Sequence, residues 1–270
     1  MYICPKCRSD LSFDAKITRC QNNHCFDISS TGYVNLLLGS KKSASHGDSK
    51  EMLDARRNFL KLGHYSQIIN ILFEIIAKSG LKSITILDAG CGEGYYTSGL
   101  SAILSNNGIE AKIYAIDVSR DAVFLASKLD KNTSYSVASI NALPFKDSAF
   151  DFVLSLFAPL CEQEFYRVLR CGGTLITVSP SEDHLFTLKS LIYDTPYKNP
   201  PSTFAPKLLK KTDEHTHNWS MTLSNNTDIS NLFKMTPYYH KTSKKDLQKL
   251  FEIQELSTEI GFVFGIYTKE

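Results

Sequence analysis

A chain of 270 residues with 43% apolar content can bury one large core and carry a small appendage. Its net charge of +2 excludes wholesale electrostatic capture of nucleic acid, so any such binding must come from local patches. No apolar run is long enough to span a bilayer, and Met1-Tyr2-Ile3-Cys4-Pro5 lacks a signal-peptide pattern. Seven cysteines, odd in number and unevenly spread, predict a reducing, cytoplasmic setting with metal chemistry rather than a disulfide framework.

Four of those cysteines fall within the first 25 residues. Cys4-Pro5-Lys6-Cys7 is followed, after twelve residues, by Cys20 and then by His24 and Cys25. Two such pairs facing each other across a short hairpin suit a tetrahedral zinc ion (Zn2+), which prefers thiolate and imidazole. A module this small has too little core to fold without metal. Cys4, Cys7 and Cys20 are the expected ligands. His24 is favoured as the fourth, with Cys25 turned into the small core, although Cys25 would also fit the spacing. A set of reduced core thiols is the plainer alternative.

Residues 40–50 are small and polar and read as a linker. A helix is expected from Asp48 or Ser49, with Met52, Ala55, Arg56 and Phe59 at helical spacing and Gly63 as its stop. A second helix covers Ser66–Lys78 and would pack on the sheet edge. From Ser83 onward strands and helices alternate, the pattern of a mostly parallel sheet. The expected strands are Ile84–Leu87, Ile113–Ile116, Ser134–Val137, Phe150–Leu156 and Thr174–Val178. Helices are expected at Asp121–Lys128 and at Glu162–Leu169, the latter closed by Cys171-Gly172-Gly173. Residues 195–240, with prolines at 196, 200, 201, 206 and 237, are the least legible. The tail reads as a helix, Lys244–Leu250, and two strands within Phe251–Lys269. The chain thus divides into a zinc-binding module (1–36), linker and helices (37–82) and an α/β domain (83–270).

The most informative stretch is Ile86-Leu87-Asp88-Ala89-Gly90-Cys91-Gly92-Glu93-Gly94. An apolar strand ends in an acid and breaks into glycines at alternate positions, which lets a ligand approach the backbone closely. Asp117, at the end of the next strand and 23 residues beyond Gly94, can accept both hydroxyls of a ribose. A dinucleotide site would want G-x-G-x-x-G. The G-x-G-x-G form with Asp88 before it resembles motif I of the S-adenosyl-L-methionine-dependent methyltransferases. That resemblance implies a Rossmann-like class I methyltransferase domain with a mostly parallel seven-stranded sheet, beside the small N-terminal zinc-binding domain.

Ser139 stands where such enzymes usually carry an acid for the adenine, so a hydroxyl would meet the exocyclic amine. Phe157-Ala158-Pro159 follows the fourth strand, where many base-modifying methyltransferases hold the target base. Phe157 is expected to stack on that base, or else to be core. Glu93 can face the donor's amine or the substrate, and His184, after the fifth strand, can approach the donor or the base.

The order Cys4-x2-Cys7-x12-Cys20-x3-His24, Gly32-Tyr33-Val34-Asn35-Leu36-Leu37, Gly47-Asp48-Ser49, Ala55-Arg56-Arg57 and Gly63-His64-Tyr65, leading into Asp88–Thr97, resembles the bacterial 23S ribosomal RNA guanine-N1 methyltransferases. The similarity runs from Cys4 to about Leu188. It implies a zinc-bearing RNA-recognition module, a donor-binding domain and a homodimer whose cleft receives a 23S rRNA hairpin. It also implies Tyr65, Gly92, Glu93 and His184 at the donor. The methyl donor is already activated, so such an enzyme mainly aligns N1 of the guanine. Glu93 and His184 are the candidate proton acceptors.

Lysines cluster without acids from Lys198 to Lys211, outnumber Asp246 from Lys234 to Lys249, and with arginines outnumber acids from Lys41 to Lys61. Phosphate contacts through them would make RNA binding salt-sensitive. Two rival readings are a small-molecule methyltransferase with a structural zinc site and a non-catalytic zinc-dependent RNA-binding protein.

Overall fold

The computed structural model describes residues 1–14, 16–38, 49–201 and 204–270. The expected linker therefore lies mostly outside the described residues, as do Lys41, Lys42, Gly47 and Asp48. The N-terminal module is a three-stranded antiparallel sheet of β1 (Leu11–Phe13), β2 (Ile17–Cys20) and β3 (Cys25–Asp27). After β4 (Val34–Asn35) come α1 (Lys50–Leu60) and α2 (Gln67–Ala77). Ser49 caps α1, its side chain accepting the N–H of Met52.

Strands and helices then alternate: β5 (Ser83–Ala89), α3 (Tyr95–Asn106), β6 (Glu110–Asp117), α4 (Arg120–Leu129), β7 (Ser134–Val137), β8 (Phe150–Leu156), α5 (Glu162–Val168), β9 (Leu169–Pro180) and α6 (Phe186–Ile192), the last of which the sequence pattern did not single out. β10 (Lys210–Leu223), α7 (Asn226–Lys234), α8 (Lys244–Glu252) and β11 (Leu256–Thr268) complete the chain. The sheet order is β10-β11-β9-β8-β5-β6-β7-β4, parallel except where β11 pairs with β9 and β10 with β11. Side chains alternate as a doubly covered strand requires: Ile84 and Ile86 of β5 enter one core, Leu87 and Ala89 the other. β5 is bordered by β6 on one side and β8 on the other, the strand-order reversal beside which open α/β sheets bind ligands.

The α/β domain supplies the expected seven strands, β5 to β11, and β4 of the N-terminal module adds an eighth by pairing in parallel with β7. Three expectations change. The Cys171–Gly173 run does not close a helix. α5 ends at Val168, and the run lies in β9 beside a register irregularity, where a Cβ on Gly173 would meet the Arg170 carbonyl at 2.8 Å. The tail supplies one long strand rather than two, since Gly261 and Gly265 are packing positions within β11 and not breaks. Its partner β10 comes from the stretch that was illegible. Finally, Cys25 is exposed rather than part of a small core, its Sγ lying 3.5 Å from the Asn23 carbonyl.

The module is fastened to the larger sheet. Tyr2 packs on Phe145 and Tyr114 at ring distances of 4.8 and 5.4 Å, and the Ile3 N–H donates to the Pro144 carbonyl at 2.9 Å. Arg120 donates to the Tyr33 hydroxyl at 3.1 Å, tying α4 to the chain just before β4.

Candidate active site and metal centre

At the carboxyl end of β5 the chain turns through Gly90 and Gly92 with φ of +105° and +54°. A Cβ on Gly90 would come within 2.5 Å of the Ala158 Cβ, so only glycine lets the two loops touch. A Cβ on Gly92 would meet Arg56 Nη1 at 3.7 Å, an ordinary van der Waals contact. The Asp117 carboxylate braces this loop. One oxygen accepts the Gly92 N–H at 3.0 Å and the other the Ser119 N–H at 2.8 Å. A carboxylate offers about four acceptor sites in all.

Asp88 is buried. One of its oxygens accepts the Thr97 hydroxyl at 2.5 Å, and the other has no hydrogen-bond partner. Burial pushes its carboxyl up to about 7, against the downward pull of Thr97. An orphaned buried carboxylate oxygen beside a glycine loop is a built acceptor for a cationic ligand.

These groups open into a cavity of about 830 Å³. Its lining includes Asp88, Gly92, Glu93, Asp117 and Ser139 and also Tyr65, Phe157, Pro159, His184, Tyr238 and Phe262. Every non-metal site residue singled out from the sequence borders this cavity except Gly94, which sits just behind its rim and caps α3. Phe157 is not core. It is 44% exposed, held at φ +57°, with Tyr96 and Phe262 at 5.9 and 5.2 Å. Glu93 is buried in the cavity wall.

His184 is buried, not solvated, and both its nitrogens are engaged. Nδ1 accepts the Gly261 N–H at 3.3 Å, which places the proton on Nε2, 3.3 Å from the Tyr65 hydroxyl. Burial lowers its pKa to about 3, with Lys189 adding to the effect. The imidazole is thus neutral and lacks a spare lone pair, which suits a wall residue better than a proton acceptor.

Sequence reasoning missed two walls. Arg56 and Leu60, one helical turn apart on α1, line the cavity, as do Met235, Thr236, Pro237 and Tyr238 after α7. Tyr238 is held from behind by buried Lys189, whose Nζ donates to Asn199 Oδ1 at 2.6 Å and lies 4.5 Å from the Tyr238 ring. The Tyr238 hydroxyl donates to the same amide oxygen. Nothing local in the sequence signals this arrangement.

In the N-terminal module the ligand atoms of Cys4, Cys7, Cys20 and His24 lie within 4.8 Å of one another. His24 Nδ1 is 3.5 Å from the Cys4 and Cys20 sulfurs, and the Cys7 and Cys20 sulfurs are 3.6 Å apart. Tetrahedral zinc bonds of about 2.3 Å to sulfur and about 2.0–2.1 Å to nitrogen give edges of roughly 3.5–3.8 Å. The donor set therefore fits zinc, with no position left open. Ser9 hydrogen bonds hold the Cys7 thiol down at about 5, toward the thiolate a metal needs.

The basic runs are largely compensated. Lys198 pairs with Asp183, Lys210 with Glu270, Lys211 with Glu214, Lys234 with Glu51, and Lys245 and Lys249 with Asp194. Among the described residues of the two C-terminal runs, Lys207, Lys241 and Lys244 carry no ion pair.

Comparison with known proteins agrees with both halves. Residues 81–255 match the family model described as "Methyltransferase domain", and residues 2–45 match "RlmA, N-terminal", a zinc ribbon. The chain is 32% identical over 277 residues to "Putative 23S rRNA (guanine-N(1)-)-methyltransferase YxjB" of Bacillus subtilis, covering 98% of this chain and 97% of that protein. It is 34% identical over 188 residues to the 23S rRNA (guanine(748)-N(1))-methyltransferase of Streptomyces fradiae, covering 68% and 65%.

Proposed function

The chain belongs to the 23S rRNA (guanine-N1)-methyltransferase family, and from that premise we propose that it methylates N1 of a guanine in a 23S rRNA hairpin. One observation carries the reading to chemistry: a single cavity joins the glycine loop and its orphaned Asp88 oxygen to an exposed aromatic, Phe157. The first end suits S-adenosyl-L-methionine and the second a base removed from its stack.

When bound, the donor supplies a methyl group already activated by its sulfonium. The residues do the positioning. Asp117 accepts the ribose hydroxyls while bracing Gly92, and Ser139 faces the adenine edge. Asp88 offers its open oxygen to the amino group. Phe157 stacks on the target base and sets its plane, an orientation effect. Transfer breaks the carbon–sulfur bond and forms the carbon–N1 bond, so the N1 proton must leave. Glu93 is the proton acceptor we assign, because His184 is already engaged at both nitrogens.

The zinc module takes the RNA-recognition role, since its closed ligand set leaves no catalytic position. The proposal includes a homodimer in a cytoplasmic setting. All seven cysteines are free, and among the described residues no helix is long and apolar enough to cross a membrane.

The test is incubation with labelled donor and either ribosomal RNA or a metabolite pool. Label on an RNA guanine at N1 is expected. Label on a small metabolite instead, or donor binding without transfer to either, would overturn the proposal in favour of the corresponding rival.

A further inference from the structure

The charged groups around the cavity are unequally divided. Asp88, Glu93 and Asp117 are acids, and His184 is held neutral. Among the described lining residues the one lysine or arginine is Arg56. Its Nη1 lies 3.7 Å from where a Gly92 Cβ would stand, so the guanidinium leans over the glycine loop.

This inference rests on the donor reading above. The donor's far end is an amino acid, with an ammonium and a carboxylate on one carbon. Asp88 supplies an acceptor for the ammonium. The acids that line the cavity repel the carboxylate, and charges in a cleft are weakly screened. A cation must offset that field at the glycine loop, and a planar guanidinium matches a carboxylate with two parallel hydrogen bonds. Arg56 is also well mounted. α1 is capped by Ser49, buries Met52, Leu53, Ala55 and Phe59, and turns Arg56 and Leu60 together toward the cavity.

We propose that Arg56 binds the α-carboxylate of the methyl donor. It fixes the methionine end above Gly92 and so selects donors that keep this group.

The experiment is calorimetry on the full chain with S-adenosylmethionine and with its decarboxylated analogue, comparing wild type, Arg56→Met and Arg56→Lys. Wild type is expected to bind the complete donor on the order of 10- to 100-fold more tightly than the analogue, the usual scale for a charge-assisted hydrogen-bonded pair. Arg56→Met should lose that preference by weakening the complete donor alone, with the analogue bound as in wild type, which also reports an intact pocket. Arg56→Lys should keep part of the preference, and it decides the matter if the methionine variant does not fold. Equal affinities in wild type would overturn the proposal. So would an undiminished preference in Arg56→Met, or a variant that binds donor normally but loses RNA affinity, which would assign the guanidinium to a phosphate. If wild type binds neither ligand, the donor reading itself has failed.

Discussion

Tyr65 and His184, 119 residues apart in sequence, meet through a 3.3 Å contact between the phenol and Nε2. The contact ties the turn after α1 to the loop after β9. Because Gly261 donates to Nδ1 from the opposite side, the imidazole is fixed in one tautomer and donates to Tyr65. Both rings are buried and pack against Phe262.

The first prediction is an acid sensitivity. His184 has its pKa lowered to about 3 in the fold, so between that value and its ordinary 6.5 the unfolded chain binds a proton that the folded chain does not. Stability from this residue is complete above about pH 6.5 and declines as the pH falls. Between pH 7 and pH 5 the loss amounts to about 2 kcal/mol. Urea unfolding at both pH values should show this drop in wild type and a smaller one in His184→Gln. Equal drops would mean that the imidazole charges freely in the folded protein.

The second concerns donor affinity. Asp88 sits near pH 7 in the free protein because burial favours its neutral form. A cationic ligand beside its open oxygen favours the charged form, so binding below pH 7 must expel a proton. Affinity should therefore rise as the pH climbs from 5 to 7, by at most tenfold per unit for one coupled proton. Calorimetry in buffers of different ionisation enthalpy measures the proton directly. An affinity that is flat over this range, or equally pH-dependent in Asp88→Asn, would remove Asp88 from the donor's charge recognition.

The third concerns the metal. Cys4→Ser and Cys20→Ser should each lose zinc, whereas Cys25→Ala should keep a full equivalent, because its thiol is exposed and outside the cluster. Metal analysis of the purified variants decides this. Retention of zinc in both serine variants, or its loss in Cys25→Ala, would require a different ligand set.

What could be read from the sequence was what is local. Asp88, the alternate glycines and Asp117 stand out because a buried parallel strand is a continuous apolar run and its ending is abrupt. The zinc ligands announce themselves by spacing. β10 did not, because from Lys210 to Asn218 its inward positions are taken by polar residues such as the half-buried His215 and His217, and apolar alternation begins only at Trp219, Met221 and Leu223. The lysine runs looked uncompensated because their partners, such as Asp194 for Lys249 and Glu51 for Lys234, are remote in sequence. Arg56 and Tyr238 reach the cavity only through helix packing, which one helix's own pattern does not reveal.

The last prediction separates function from stability at Phe157. A bulky residue with φ of +57° is strained, and Phe157 is left 44% exposed where it borders the cavity. Such strain persists where the side chain is needed for binding or chemistry. Its contacts with Tyr96 and Phe262 offset part of the cost. Glycine accepts the left-handed backbone freely and alanine does not, so Phe157→Gly should be about 1 kcal/mol more stable than Phe157→Ala. Both variants should bind the donor normally, since Asp88, Gly92 and Asp117 are untouched, and both should lose methyl transfer to RNA. Phe157→Tyr should retain transfer, because it keeps the stacking face. The measurements are urea unfolding, donor calorimetry and RNA methylation on the same three proteins. Full transfer by Phe157→Gly would show that the ring does not hold the base, and the reason for its strained backbone would have to lie in packing instead.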